Sequence, residues 1–409
     1  MTAIRAGICI LLAFSVLAHG AVETWSESVL EIGAALLLIL WAALFAAGKV
    51  QRILWNPLIW PLAGLSGIGL LQWVAGLSVY PFATKVELLR LLAYLVLFFL
   101  AVQAFRSASS VRGFVWFLLA FGFLVSVFGI LQQFTFNGKL YWLRELRYGG
   151  YPFGPYVNRN HFAGFVELIA PVGLALLVVR GERRDRLPLA VLFTLIPIGA
   201  LFVAASRGGI ASFLIQAVIV GALAWSRPAG AKSLAAAAAF FLLAGAVVTW
   251  LGVGTALERF ASFKANEVPE ARRLVMIKDS WHIFLDHPVL GAGLGTLETA
   301  YPRYESLYDG LVVNHAHNDY VEALADAGLI GGACCAAFLF LLFRRWLAGV
   351  QATREPFFWA VRIGALVACA GILVHGFVDF NLHIPSNALL FLLQASLAGA
   401  DPDAWLVHK

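Results

Sequence analysis

Apolar runs of roughly helix-spanning length, separated by short polar stretches, repeat along almost the whole chain. A helix needs ~20 apolar residues to cross the hydrocarbon core of a bilayer. About twelve segments come close to that length: 4–21, 29–48, 56–76, 86–104, 113–131, 161–179, 187–204, 208–225, 233–253, 320–343, 357–375 and 384–400. The first also reads as a secretory signal peptide, since Arg5 precedes an apolar run that ends near Ala18 and Ala21. Its removal leaves the sidedness of everything downstream unchanged. One long inter-span stretch, 254–319, breaks the pattern. Pro269 marks a helix start there. From Ala271 to Asp286, Leu274, Ile277, Trp281 and Phe284 recur at helical spacing, with Val275 and Ile283 beside them. Arg272, Arg273 and Lys278 fall mostly away from that stripe. The pattern predicts an amphipathic helix lying on the bundle or along the interface. His287 and Pro288 end it, and Gly291–Gly295 reads as a flexible turn. It is no phosphate loop, because no strand precedes it and no Gly-Lys-Ser/Thr follows.

Composition agrees. The chain has 409 residues, 61% hydrophobic and 13% charged, with mean hydropathy +0.84. Soluble domains carry about 25% charged residues, so the chain is an integral membrane protein of all-α, polytopic class. The net charge of +6 sits in short loops with no basic run beyond them, which argues against a nucleic-acid partner. Cys9, Cys334, Cys335 and Cys369 all lie in apolar segments and form no disulfide framework or zinc spacing. No internal repeat is visible. Short loops after the even-numbered spans hold thirteen Lys and Arg, against six in the opposite short loops. The positive-inside rule therefore puts both termini in the cytoplasm. Four polar-rich stretches then fall on the outer side: 132–160, Ser206–Gly209, the long loop 254–319, and His375–Ser386. Unusual polar residues gathered at one face suggest a site there.

The densest polar stretch is His315, His317, Asn318, Asp319 and Tyr320, just before an apolar segment. His317 suits general-base work near neutral pH, because an unperturbed histidine titrates near ~6.5. The same stretch also reads as a helix start capped by Asn318 or Asp319. A metal reading would need a third ligand such as Asp319 or Asp286, and the spacing is not specific. Arg207 sits between two spans with almost no loop. It is either a boundary arginine snorkelling to headgroups or a guanidinium that binds an anion, with Gly208 and Gly209 allowing close approach. Arg273, with Arg272 beside it, reads as a helix-surface charge or as a second contact for the same anion; two arginines from separate elements can clamp a diphosphate. Arg159, Asn160 and His161 open the sixth span. Glu167, two turns further in, needs a partner or a wet cavity. Glu87 and Arg90 are placed to pair. Asp379 and His383, in a polar run with His375 and Asn381, read either as acceptor-side support or as loop packing.

Taken in order, these stretches resemble the bacterial O-antigen ligase and polymerase family. The likeness rests on Asn158–Ala163, Ser206–Gly209, Arg273 thirteen residues before Asp286–Gly295, and His315–Tyr320 leading to Gly328–Gly331. It covers about half the chain; residues 1–157 match only as hydrophobic segments, and 158–400 as the catalytic membrane region. The resemblance implies an inverting, metal-independent glycosyltransferase without cofactor, in the bacterial inner membrane. Such an enzyme passes a glycan from undecaprenyl diphosphate to an acceptor hydroxyl at the periplasmic face. By that likeness Arg207 and Arg273 hold the leaving diphosphate and His317 takes the acceptor's proton, while Arg159, Asn160, His161, Arg272, His315, Asn318, Asp319, Tyr320, Asp379 and His383 line the substrates. The acceptor is lipid A–core oligosaccharide in ligases, another lipid-linked repeat in polymerases, and protein in some relatives. Ile277 stands where most members carry Trp, a departure in packing. Two other classes compete. A transporter or flippase of lipid-linked sugars favours mid-bilayer ionisable residues in broken spans. A non-enzymatic scaffold has no need of the His/Arg set.

Overall fold

A computed structural model describes residues 1–146, 151–179, 181, 183–225, 270–401 and 405. They form an all-helical bundle with one two-stranded hairpin. The membrane-type helices are α1 (Thr2–Leu17), α2 (Thr24–Ala46), α3 (Ile59–Val74), α4 (Pro81–Ala104), α5 (Ala108–Phe134), α6 (Arg159–Glu167), α7 (Ala170–Val179), α8 (Leu187–Ala204) and α9 (Arg207–Trp225). Then come α10 (Glu270–Asp286), the short α11 (Leu297–Ala300), α12 (Asp319–Ala352), α13 (Pro356–His375) and α14 (Pro385–Ala398). Strands β1 (Lys139–Leu140) and β2 (Arg144–Glu145) pair antiparallel between α5 and α6.

Eight stretches are long and apolar enough to cross a membrane, counting α6 and α7 as one. Three shorter apolar helices, α1, α3 and α14, fall at other expected spans. The expected span 233–253 and the loop portion 254–269 lie outside the described residues. The core is built around α14, in which every residue is buried. It packs against α13, α4 and α1, while α7 and α9 cover the other side of α13. The expected Glu87–Arg90 pair forms at 2.8 Å, and Arg90 also meets Glu27 of α2.

Two breaks shape the bundle. The expected single span 161–179 divides into α6 and α7 ahead of Pro171. Proline has no N–H and its ring displaces the carbonyl four residues back, here Glu167. In a membrane a freed carbonyl needs a partner inside the protein. Gln216 of α9 donates to Glu167 O (3.0 Å), and Gln394 of α14 donates to Leu168 O (2.5 Å).

The second break is Gly328, inside α12, at φ 63° and ψ −164°. Essentially only glycine adopts that conformation, and a Cβ there would lie 2.5 Å from the Val289 carbonyl. The groups freed by the break pair with loop 288–293. Ala292 N donates to Ala325 O (2.8 Å), and Leu329 N donates to Pro288 O (2.8 Å). Gln72 of α3 donates to both Leu290 O and Asp326 O. The glycine-rich segment 291–295 is therefore a clamp, not the free turn its composition suggests. The break also divides the expected span 320–343: residues 319–327 form a short helix of their own, and a second helix runs on after Gly328.

Helix α10 forms where expected, and its apolar stripe is covered only in part. Arg272, Met276, Asp279, Ser280, Ile283 and Phe284 are buried, whereas Leu274 (68%) and Trp281 (41%) are exposed. Asp279 anchors the covered face. Its carboxylate accepts from Tyr301 Oη (2.9 Å), Ser306 N (3.0 Å) and Ser306 Oγ (2.8 Å), and so ties the helix to loop 301–306.

Candidate functional site

The described parts of the four polar stretches grouped on one side by the charge count meet at one end of the bundle. Asn158 caps α6 by accepting from Asn160 N (2.9 Å). Tyr156 Oη bonds Ser386 Oγ and Asn387 Oδ1 (both 3.0 Å), and Asn387 Nδ2 donates to His161 O (3.0 Å). Ser206 caps α9, its Oγ accepting from Gly209 N (3.2 Å), so Arg207 stands in the first turn.

The loop after α13, residues 376–380, is the hub of this end. Its successive carbonyls each receive a donor from a different place. Gly376 O accepts from Asp319 N (2.9 Å), Phe377 O from Asn318 Nδ2 (3.0 Å), and Val378 O from an Arg273 guanidinium nitrogen (2.9 Å). The Asp379 carboxylate accepts from Asn160 Nδ2 (2.6 Å) and Phe380 N (2.9 Å). The start of α9 presses on the same loop. A Cβ on Gly208 would lie 2.9 Å from the His375 ring and 3.0 Å from Val378. Only glycine lets the helix that carries Arg207 come this close. Arg273, His317 and the Gly208 next to Arg207 thus all meet the segment His375–Asp379.

Phe380 organises the imidazoles. His315 stacks on its ring (centroids 4.2 Å, 19°), while His317 and His161 meet it edge-on at 5.0 Å each. His315 Nδ1 contacts Glu322 Oε1 (2.7 Å), and Glu322 Oε2 accepts from Ala316 N (2.8 Å). His383 bridges Asp319 Oδ1 (3.0 Å) and Glu322 Oε1 (3.2 Å). Burial disfavours a charged His383, but Glu322 and Asp319 outweigh it and push this imidazole up to about 10. Burial likewise works against a charged Asp379, yet His317, His161 and His375 around it hold this carboxyl well below the usual carboxylate range. Beneath them His375 Nδ1 meets Glu167 Oε1 at 2.8 Å, both side chains fully buried.

His317 is distinct. Its backbone is left-handed (φ 52°), uncommon for a residue with a side chain. Its Nδ1 is buried without a hydrogen-bond partner and lies 3.7 Å from Asp379 Oδ1. Among the described residues, the ligand atoms of His315, Glu322 and His383 lie within 4.8 Å of one another, close enough for an ion. Glu322 already engages both rings, so hydrogen bonds account for the trio and no ion is assigned to it.

The remaining expected residues hold the frame. Asn318 is the cap of α12, accepting from Tyr320 N and Val321 N (3.0 Å each); Asp319 turns to His383 instead. Tyr320 Oη donates to Leu373 O (2.6 Å). Arg272 is buried in ion pairs with Glu305 and Asp309 and bonds the Leu307 carbonyl. Arg159 lies over the Tyr151 ring (5.2 Å). Two members escaped the sequence reading. Glu322 passed as part of an apolar span, although a carboxylate in the first turn of a membrane helix is costly without a partner. Phe380 had no signal beyond being an aromatic inside a polar run.

Comparison with known families adds one finding. Residues 190–336 match the family model described as O-antigen ligase, a stretch that includes Arg207, Arg273 and His317. No curated protein matches the chain.

Proposed function

We propose, from the match of residues 190–336 to the family model described as O-antigen ligase, that the chain transfers a glycan from undecaprenyl diphosphate to an acceptor hydroxyl. The acceptor oxygen attacks the anomeric carbon from the face opposite the diphosphate. The bond from that carbon to the diphosphate oxygen breaks, and the leaving group departs with the electron pair. Arg207 and Arg273 face that developing charge, where fixed guanidinium groups in a partly dry site are worth most. Arg207 stands at the start of α9, whose free N–H groups add to the positive potential. His317 takes the proton the acceptor loses. The end of the bundle that carries loop 376–380 then faces the periplasm of a bacterial inner membrane, with donor and acceptor entering from the bilayer.

One observation carries this reading: Arg273 bonds the Val378 carbonyl, Gly208 next to Arg207 packs on Val378, and His317 faces Asp379, the following residue. A second reading, a transporter of lipid-linked sugar, draws on the broken α6–α7 span with its buried Glu167–His375 pair. Protein in liposomes given a lipid-diphosphate glycan, with or without lipid A–core, separates the readings. A capped core marks a ligase, and a ladder from donor alone marks a polymerase. Movement of donor across the bilayer with no covalent product overturns the transferase.

A further inference from the structure

We infer that Asp379, clamped by Asn160, is the positioning residue that fixes the His317 imidazole with its Nε2 toward the acceptor. This rests on the transferase reading of His317 and adds to it.

The groups are matched. Asp379 is fully buried. One oxygen is held by Asn160 Nδ2 (2.6 Å) and the other by Phe380 N (2.9 Å). A carboxylate oxygen has room for a further donor. The polar group facing it is His317 Nδ1, 3.7 Å away, buried and otherwise unpaired. A buried nitrogen left unpaired is costly, so a small shift that closes this gap is favourable. Such contacts are often long before substrate arrives. The backbone at His317 is left-handed (φ 52°), a strain of the kind that persists where surroundings over-determine it. His315 and His383, by contrast, already commit ring nitrogens to Glu322 and Asp319.

The chemistry follows. With Nδ1–H directed at Asp379, the Nε2 lone pair is the one open to an incoming hydroxyl proton. Once that proton arrives, the carboxylate faces an imidazolium. The carboxylate thus selects the tautomer and stabilises the protonated base. The other ionisable groups near this pair are His161 on α6, His315, His375 on α13 and Arg273 on α10.

The test compares wild type, Asp379→Asn, Asp379→Glu and His317→Ala in liposomes with a lipid-diphosphate glycan and acceptor. Asp379→Asn is expected to lower kcat by ~10–100-fold with donor KM unchanged. Loss of the negative neighbour makes His317 harder to protonate, so the acid limb of the kcat profile moves to lower pH. Asp379→Glu restores part of kcat. Wild-type kcat in Asp379→Asn, or a loss with the acid limb unmoved, overturns the assignment. Should Asp379→Asn fail to accumulate, Asn160→Ala is read instead, since it removes the clamp and leaves every charge in place. Lower kcat at unchanged donor KM then supports the assignment, and unchanged kcat overturns it. Full transfer by His317→Ala would instead remove the underlying reading of the base.

Discussion

Arg272 and Arg273 are neighbours on α10 with different surroundings. Arg272 is buried and paired with Glu305 and Asp309; Arg273 is half-buried and reaches Val378. The sequence reading set Arg273 on the diphosphate and Arg272 among the substrate-lining residues, but the fold of loop 301–309 commits Arg272 to structural pairs. His383 carries the clearest consequence for pH. Its folded value, about 10, stands above the unfolded value of ~6.5. A raised value means that its stabilisation is complete below ~6.5 and is lost as pH rises through about 10. The melting temperature of the detergent-purified protein should therefore fall across that window, and His383→Gln should flatten the slope. Parallel slopes for the two proteins would count against a charged His383 between Asp319 and Glu322.

At the scale of elements, the two breaks place the site. Pro171 ends α6 so that Glu167 lies beneath His375, and Gly328 ends residues 319–327 so that Asp319 and Glu322 face inward. Gly328→Ala should cost at least ~1–3 kcal/mol, from backbone conformation alone, with a steric clash on Val289 added. A thermal shift in detergent measures it, and an unchanged melting temperature would mean the break is not fixed by Gly328. Apolar run length made most helices legible, but 161–179 was read as one span through Pro171, where the structure divides it. The partners that satisfy the breaks were not legible, because Gln216, Gln394 and loop 288–293 lie far off in sequence or in a turn that looked loose. The stripe on α10 was legible as periodic, but not which of its members the protein covers: Ile283 and Phe284 are buried, Leu274 and Trp281 are exposed. Lipid is as apolar as leucine, so exposure of Leu274 and Trp281 carries little penalty in a membrane protein. Unpaired Asp279 would carry a large one.

At the scale of the molecule, the two ends of the bundle divide the work. One end is tied by structural contacts: Arg362 bonds the carbonyls of Ala400 (2.8 Å) and Asp401 (2.7 Å), Asn56 bonds Gly399 O (3.0 Å), and Arg345 meets Asp401. The other end gathers the imidazoles, carboxylates and the two arginines around loop 376–380. Loop charges in the sequence already put these stretches on a common side. They could not order them around Val378 and Asp379, since that order depends on contacts between residues far apart in the chain. The most direct measurement is the rate of glycan transfer by purified Arg207→Ala, Arg273→Ala and His317→Ala in liposomes, beside wild type inserted to the same level. Each arginine variant should lose ~100–1,000-fold in kcat and His317→Ala ~100–10,000-fold. Transfer at the wild-type rate by all three would contradict the account.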